Sequence, residues 1–306
     1  KKNGQGTIEG ERYIVTWGLG HLVTLADPEE YKPEWKEWKM DVLPMMPKTW
    51  KLSVIRQTAK QYNAVKSQIH RKDVGEIIIA TDAGREGELV ARWILEKAGN
   101  QKPVKRLWIS SVTDRAIREG FGRLRDGRDY QNLYDAARSR AKADWLVGIN
   151  ATRALTCKYN AKLTCGRVQT PTLALIANRE DEIRSFRPKP YYGLKVYADG
   201  ICFTWQDGKS GSTRSFDPER IRRISEEIRG ERLVLDSVEK KSRKTYAPGL
   251  YDLTELQREA NRRFGYSAKE TLNIMQRLYE HHKVLTYPRT DSRYLSSDIV
   301  PTLKER

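Results

Sequence analysis

The possible folds of this chain are limited above all by a succession of strand, turn, helix, strand and helix in its first half. Residues 76–80 read EIIIA, a short apolar run typical of a buried strand, and residues 88–98 predict a helix that stops at a glycine. Residues 106–110 predict a second strand and residues 114–124 a second helix. Strands that alternate with helices pair in a parallel sheet that the helices cover. The sequence therefore predicts an α/β domain here.

The second half of the chain changes character three times. Residues 133–159 predict a long helix rich in alanine and arginine, and a further helix follows a short loop, with Thr170 as its cap and Pro171 in its first position. A β-rich stretch comes next, with strands predicted at 191–197, 201–206 and 233–239 and a charged helix at 218–229. The last part is helical again, because Ser267 and Glu270 have the spacing of a capping box.

These patterns predict a multidomain protein in which an α/β fold is combined with α and β parts. We expect an α/β domain over residues 1–130, a helical domain over 131–187, a β-rich arm over 188–247 and a second helical domain over 248–306. A length of 306 residues is enough for several compact units.

The charge of the chain indicates its partner. The net charge is +17, from 57 Lys and Arg against 40 Asp and Glu, and the basic residues are spread along the whole sequence. An extended polyanion is the simplest partner, because each neutralised phosphate releases counterions. An acidic membrane would attract the same charge, but no lipidation motif or strongly amphipathic basic helix is present. Three cysteines without Cys-x-x-Cys spacing argue against a zinc module and suit a reducing cytoplasm.

An acidic turn, residues 80–88, lies between the first predicted strand and its helix. It reads Ala80-Thr-Asp-Ala-Gly-Arg-Glu-Gly-Glu88, so that Asp82 and Glu86 can both face the crevice where ligands of open α/β sheets bind. Two carboxylates on a glycine-rich turn suit a hard cation, and magnesium is the expected ion. The same residues would also make an ordinary acidic turn with a carboxylate at a helix N-terminus. The sequence is compatible with both a magnesium site and an ordinary acidic turn.

A tyrosine segment, residues 285–292, follows the last predicted helix. Pro288 disfavours helical geometry at Tyr287, and Arg289 would share a face with that tyrosine if the backbone is extended. A phenol is a weak nucleophile at neutral pH unless a nearby cation stabilises the phenolate, and arginine also matches a phosphate. The segment is thus a candidate nucleophile site, or a core tyrosine in a proline turn.

Three segments together resemble the type IA DNA topoisomerases, and the topoisomerase III branch most closely. The acidic turn resembles the family's Toprim motif, Asp-x-Asp-x-Glu, and Thr286-Tyr-Pro-Arg-Thr-Asp-Ser292 resembles its active-site tyrosine motif. Cys165-Gly-Arg-Val-Gln-Thr-Pro171 resembles the segment that lines its single-strand groove. The resemblance covers essentially the whole chain. It implies a toroidal molecule with a Toprim-like parallel-sheet domain, a helical groove domain, a β-rich arm and a helical tyrosine-bearing domain.

The resemblance also implies a reaction. Tyr287 would attack a backbone phosphate, keep the 5′-phosphate covalently and release a 3′-hydroxyl, without ATP because the phosphotyrosine bond conserves the phosphodiester energy. Arg289 would stabilise charge on the phosphorus oxygens. Asp82 and Glu86 would hold Mg²⁺ for strand passage and religation. Single-stranded DNA and duplex DNA would be the substrates of a cytoplasmic, nucleoid-associated enzyme, with a helicase partner left open and no membrane or small-molecule substrate.

The DNA-contacting residues that the resemblance implies are Trp38, Arg140, Asp144, Trp145, Arg153, Cys165, Gly166, Arg167, Val168, Gln169 and Thr170. Two of these assignments have plain alternatives. Arg140 and Asp144 are four residues apart on a predicted helix and could simply pair. Trp38 could pack in a core instead of stacking on a base. His281 and His282 are expected at an exposed helix end and not at a metal.

The chain departs from the family pattern at three points. Gly84 stands where the second Toprim acid is expected, which weakens or reshapes the metal site. The sequence begins at Lys1, after the family's strand with a catalytic glutamate and lysine, and ends at Arg306, soon after the tyrosine motif. We therefore expect an internal fragment that binds DNA, with turnover residing in a longer protein that contains it.

Two further functions fit part of the sequence. A basic module that binds single-stranded DNA without cutting it explains the charge and the aromatics equally well. Another Toprim enzyme, such as a primase or a nuclease, explains the acidic turn but gives the tyrosine motif no role. Only a covalent protein–DNA adduct through Tyr287 separates cleavage from binding.

Overall fold

The computed structural model of the protein describes residues 6–111 and 113–304. The first and last residues of the chain, on which the expectation of a fragment rests, lie outside this part. The chain divides into two compact units, the first formed by residues 1–171 with 249–306 and the second by residues 172–248. The four predicted domains divide the chain more finely and stay a prediction.

The strands are short and form small sheets. In the described part of the chain they are β1 Thr7–Glu9, β2 Ile14–Thr16, β3 Val23–Leu25, β4 Leu52–Val54, β5 Ile77–Ile79, β6 Val104–Arg106, β7 Arg125–Asp126, β8 Lys195–Ala198 and β9 Ile201–Thr204. Strands β5 and β6 are parallel, whereas β7 adds to β6 in the antiparallel direction. The pairs β1–β2, β3–β4 and β8–β9 are antiparallel.

Helices make up most of the rest. The α-helices of the described residues are α1 Pro28–Tyr31, α2 Ala59–Ile69, α3 Arg85–Ala98, α4 Asp114–Phe121, α5 Gln131–Tyr159, α6 Gln169–Ser185, α7 Pro218–Glu227, α8 Leu253–Phe264, α9 Ala268–Glu280 and α10 Val300–Lys304. Across these described residues, every helix is too short or too polar for a membrane span.

The predicted α/β succession is confirmed, and its central helix shows why the sequence specifies it. Helix α3 begins after Gly84, whose backbone is extended, and ends at Gly99, whose φ of 72° lies in the left-handed region that glycine adopts without strain. Between these ends the apolar side chains of Leu89, Trp93 and Ile94 recur on one face and are buried. This face packs into the main core of the first unit.

That core joins the first strands to the long helix α5. Its buried members come from widely separated parts of the sequence and include Leu22, Val23, Trp35, Met45, Tyr62, Leu89, Trp93, Tyr134, Ala137 and Trp145. Because α5 contributes to the same core as α3, the acidic turn at the head of α3 lies in the same packed unit as α5. This packing sets the position of the site.

Three predicted elements differ from the structure. Strand β6 ends at Arg106, so residues 107–110 leave the sheet, although Leu107 N still donates to Ile79 O. Residues 233–239 are exposed and form no strand, because no described strand pairs with them. Helix α6 begins at Gln169, one residue before its predicted cap, and the Thr170 hydroxyl accepts a hydrogen bond from Gly166 N instead.

Candidate functional site

The acidic turn folds back tightly on the first turn of α3. Gly84 N donates to Asp82 O at 2.9 Å, and the Thr81 hydroxyl donates to Gly87 O at 2.8 Å. A Cβ atom on Gly87 would lie 2.1 Å from Asp82 O, so this position has no room for a side chain. A Cβ atom on Gly84 would meet nothing within 4 Å. The turn is therefore crowded on the Gly87 side and open on the Gly84 side.

A fully buried ion pair lies beneath the turn. Arg106 Nε is 2.9 Å from Glu88 Oε2, outside hydrogen-bond angles, and both side chains are 0% exposed. The Arg106 guanidinium also donates to the carbonyl oxygens of Thr81 at 2.8 Å and Asp82 at 2.7 Å. Burial lowers the pKa of Arg106, and the carboxylate of Glu88 opposes that shift. The backbone that carries Asp82 is thus fixed from within the core.

Sequence reasoning missed this pair. The signal was a charged residue beside each apolar stretch, because Arg106 is the last residue of its strand and Glu88 lies in the first turn of its helix. Arg92 completes the arrangement, because its Nε donates to Glu88 Oε1 at 2.8 Å. Buried charges occur in proteins when they are paired in this way.

The acids predicted to hold a metal are not part of this buried pair. Asp82 and Glu86 are both exposed, and Glu86 Oε1 lies 2.6 Å from Arg140 Nη2. Within the described residues no cluster of three or more potential metal-ligating side chains occurs. Gly84 supplies no carboxylate beside Asp82 and Glu86. Two exposed carboxylates still fit magnesium, which binds through one or two carboxylates and keeps waters or substrate phosphates as its other ligands.

Helix α5 presents Arg140 and Asp144 on one face, but the two do not pair with each other. Arg140 pairs with Glu86, and Asp144 Oδ1 accepts from Arg167 Nε at 2.7 Å. The alternative of an i, i+4 salt bridge is wrong, because each side chain meets an oppositely charged residue from another element. Helix α5 thereby links the acidic turn to residues 165–171, which comprise the loop before α6 and the start of that helix and are called here the GRVQ loop.

The GRVQ loop is fastened to α5 by its backbone. Thr152 Oγ1 donates to Cys165 O at 3.3 Å and accepts from Cys165 N at 3.0 Å. Gly166 lies beside the Gln169 side chain, which a Cβ atom on this glycine would approach to 3.1 Å. Among the remaining predicted contact residues of this loop, the side chains of Arg167, Val168, Gln169 and Thr170 are exposed. The loop therefore presents both charge and apolar surface beside α5.

Two of the predicted DNA-contacting residues are buried and support the surface from below. The Trp145 indole N–H donates to Ala26 O at 3.0 Å, and its ring packs edge-on against Trp50. Arg153 donates to the carbonyl oxygens of Trp35 and Glu37. Both side chains are buried and donate to backbone carbonyl oxygens of the core, so a direct DNA contact by Trp145 or Arg153 stays a prediction.

Trp38 is the exposed aromatic of this region. Its side chain is 52% exposed, and the Arg153 guanidinium lies 5.1 Å from its ring centroid. Core packing of Trp38 is therefore excluded as its role. Asn150, which sequence reasoning missed, holds the backbone of Met45 by accepting from Met45 N at 2.6 Å and donating to Met45 O at 3.0 Å. An amide within an otherwise apolar helical stretch was the available signal.

The tyrosine segment leaves Tyr287 and Arg289 at the surface. Pro288 between them is fully buried, whereas Tyr287 is 51% exposed and lies edge-on to Tyr279 with ring centroids 5.8 Å apart. Leu253 N donates to Thr290 O at 3.1 Å. As predicted, Tyr287 lies outside the helix, since α9 ends at Glu280. Core burial of the tyrosine is excluded.

No hydrogen bond or ion pair joins Tyr287 or Arg289 to Asp82 or Glu86 within residues 6–111 and 113–304. His281 and His282, just beyond α9, are exposed as expected. A contact between the last part of the chain and its first half lies elsewhere in the first unit. Asp298 Oδ2 accepts from the hydroxyls of Ser111 at 2.8 Å and Thr113 at 2.7 Å.

Comparisons with known proteins agree on one family. The family described as DNA topoisomerase matches residues 128–306, and the Toprim domain matches residues 3–112. Proteins named DNA topoisomerase 3 from Bacillus subtilis and Shouchella clausii are each 63% identical to the chain, and one from Bacillus licheniformis is 61% identical. Each match covers 100% of this chain but 42% of the relative.

A solved structure, full-length topoisomerase I from Thermotoga maritima, resembles the fold with a TM-score of 0.56 at 27% identity. The match covers 92% of this chain and 46% of that chain.

Proposed function

The chain belongs to the type IA DNA topoisomerases, and on that premise we propose that it provides the nucleophile, the strand-binding surface and two metal-binding carboxylates of an enzyme that cuts and reseals one DNA strand. The observation that carries this proposal is the exposed Tyr287 with Arg289 two residues on and the buried Pro288 between them. The chain spans 42% of the length of its relatives, so the activity is proposed for a protein that contains it.

The proposed cleavage step is a transfer of one phosphodiester linkage. The Tyr287 oxygen, as it loses its proton, forms a bond to phosphorus while the bond from phosphorus to the 3′-oxygen breaks. The 3′-oxygen takes up a proton, and the 5′-phosphate remains on the tyrosine. The proposed role of Arg289 is to donate to the phosphate oxygens in the transition state. Religation is the reverse transfer, so the step needs no ATP.

Asp82 and Glu86 are the residues proposed to hold Mg²⁺. When bound there, the ion supplies positive charge for the DNA phosphates during strand passage and religation. The support for this assignment is the exposure of both carboxylates above a turn that Arg106 fixes through the Asp82 carbonyl. A preformed turn lowers the cost of arranging the ligands when the ion binds.

The strand-binding surface is proposed to run along α5 and the GRVQ loop. Arg167, Gln169 and Arg140 supply phosphate-binding or polar groups, and Trp38 supplies a ring on which a base can stack. Trp145 and Arg153 hold this surface in place from the core. We place the whole protein in the cytoplasm at the nucleoid, acting on single-stranded and duplex DNA, with a helicase as a candidate partner.

The test is an adduct assay with end-labelled single-stranded DNA and Mg²⁺, followed by denaturation and electrophoresis. We expect a covalent protein–DNA band that is lost in Tyr287→Phe and kept in Tyr294→Phe, a matched control because Tyr294 is 86% exposed nearby in the sequence. The equivalent substitution is made in the full-length Bacillus subtilis relative. Binding without an adduct in either protein would favour a non-cleaving single-strand-binding module.

A further inference from the structure

The ion pair between Glu86 and Arg140 joins the two halves of the proposed site. Glu86 belongs to the acidic turn, whereas Arg140 lies on the α5 face beside the GRVQ loop. The two side chains are 50% and 36% exposed, and their charged atoms are 2.6 Å apart. Exposed pairs of this kind contribute little to stability, because water competes for both partners. The pair can therefore be exchanged at low cost.

Building on the proposed function, we propose that Arg140 is a positioning residue that exchanges partners. Without DNA its guanidinium neutralises Glu86, and when a DNA strand binds it moves to a backbone phosphate. Glu86 is then free to bind the divalent cation. Binding of single-stranded DNA and of the metal ion are thereby positively coupled through this one side chain.

Electrostatics favour this exchange. A guanidinium in contact with Glu86 both occupies the carboxylate and repels a divalent cation at the same place. A phosphate attracts the guanidinium bidentately, so a bound DNA strand draws Arg140 away from Glu86 and leaves that carboxylate available to the cation. The coupling should be large here, because Gly84 supplies no carboxylate and Glu86 is one of the two carboxylates proposed to hold the ion.

The neighbouring pair explains why Arg140 would move to DNA and not along its own helix. Asp144, the next carboxylate on this face of α5, already accepts from Arg167 at 2.7 Å. A released Arg140 thus has a phosphate as its strongest available partner. Arg167 also provides the matched control, since its carboxylate partner lies outside the acidic turn.

The experiment measures Mn²⁺ affinity from the electron paramagnetic resonance of free Mn²⁺, with and without a short oligothymidylate at constant ionic strength. All proteins carry Tyr287→Phe, which prevents a covalent reaction. The variants are Arg140→Gln, Arg140→Lys and Arg167→Gln, the last combined with Asp144→Asn so that loss of Arg167 leaves no free carboxylate beside Arg140. Oligothymidylate binding is followed separately by fluorescence anisotropy with and without Mn²⁺, because coupling must be equal in both directions.

We expect the oligonucleotide to raise Mn²⁺ affinity by about fivefold or more in the parent, within the usual range of such couplings. Arg140→Gln should bind Mn²⁺ more tightly without DNA. Its coupling factor, which is the ratio of the Mn²⁺ affinities with and without the oligonucleotide, should be close to one. Arg140→Lys and Arg167→Gln should weaken oligonucleotide binding yet keep most of the coupling.

Two results would overturn the exchange. One is a coupling factor that is unchanged in Arg140→Gln, and the other is an equal loss of coupling in Arg167→Gln. Failure of the proposed function has a different signature, namely no oligonucleotide binding by the parent. In that case the Mn²⁺ affinity of Arg140→Gln without DNA still tests whether Arg140 keeps Glu86 from the ion. An affinity equal to that of the parent would reject this role.

Discussion

The acidic turn and the tyrosine segment carry the two halves of the proposed chemistry, but the fold holds them in opposite ways. The acidic turn rests on a buried ion pair, and Arg106 fixes its backbone carbonyls. The tyrosine segment is exposed and is held by Pro288 and a backbone hydrogen bond at Thr290. The proposed metal-binding region is therefore arranged by folding, whereas the proposed nucleophile is held loosely and is expected to need its substrate for alignment.

The largest effect is expected from breaking the buried pair. Arg106→Met leaves the Glu88 carboxylate with one fewer cation in a fully buried position, which should reduce the free energy of unfolding by about 3–5 kcal/mol. Urea denaturation measures this loss. The double variant Glu88→Leu with Arg106→Met should cost much less than the sum of the single changes. A loss below about 1 kcal/mol for Arg106→Met would mean that the turn does not depend on the pair.

The two glycines of the turn give a matched comparison. Gly87→Ala places a Cβ atom 2.1 Å from Asp82 O, so we expect a loss of about 1–3 kcal/mol in unfolding free energy and weaker Mg²⁺ binding. Gly84→Ala has open space and an extended backbone, and its stability should stay within about 0.5 kcal/mol of the parent. Thermal unfolding with and without Mg²⁺ separates the two. Equal losses would show that the crowding at Gly87 is not what shapes the turn.

Pro288 tests how loosely the tyrosine is held. Pro288→Ala removes a buried ring and frees the backbone of the unfolded chain, for an expected loss of about 1 kcal/mol. Amide hydrogen exchange of residues 285–292 should speed up, while exchange in α3 should stay as slow as in the parent. Faster exchange in α3 as well would contradict the difference between a firmly held acidic turn and a loosely held tyrosine segment.

The smallest effect is expected at Asp298. Hydrogen bonds from the hydroxyls of Ser296, Thr113 and Ser111 lower the pKa of this carboxyl to about 2, from an ordinary value of 3.8. Because the pKa of Asp298 is lower in the folded than in the unfolded protein, its ionised carboxylate stabilises the fold. This stabilisation is complete above the ordinary pKa and is lost as the pH falls toward 2. Asp298→Asn should be slightly less stable at neutral pH, and the difference should shrink below pH 4. A difference that grows in acid would contradict the assignment.

The sequence predicted those features of the fold that depend on residues close together in the chain. The apolar run before Asp82 placed the acidic turn between a strand and a helix, and Pro288 placed Tyr287 outside a helix. The spacing of Arg140 and Asp144 suggested a salt bridge between them. Their actual partners come from the acidic turn and the GRVQ loop.

The errors share one physical origin, which is contact between residues distant in sequence. Residues 233–239 have the composition of a strand, but a strand forms only where another strand pairs with it. The burial of Trp145 and Arg153, and the support from Arg106 and Asn150, depend on tertiary packing that no local pattern encodes.

The central claim is that Tyr287 becomes covalently bound to DNA, and peptide mapping tests it most directly. The protein is reacted with single-stranded DNA, denatured and digested with nuclease and trypsin. Cleavage after Lys283 and Arg289 releases residues 284–289, a peptide whose one tyrosine is Tyr287. We predict that this peptide carries the mass of a 5′-linked nucleotide in the mass spectrum. A nucleotide on another tyrosine, or an unmodified peptide 284–289 beside bound DNA, would contradict the account.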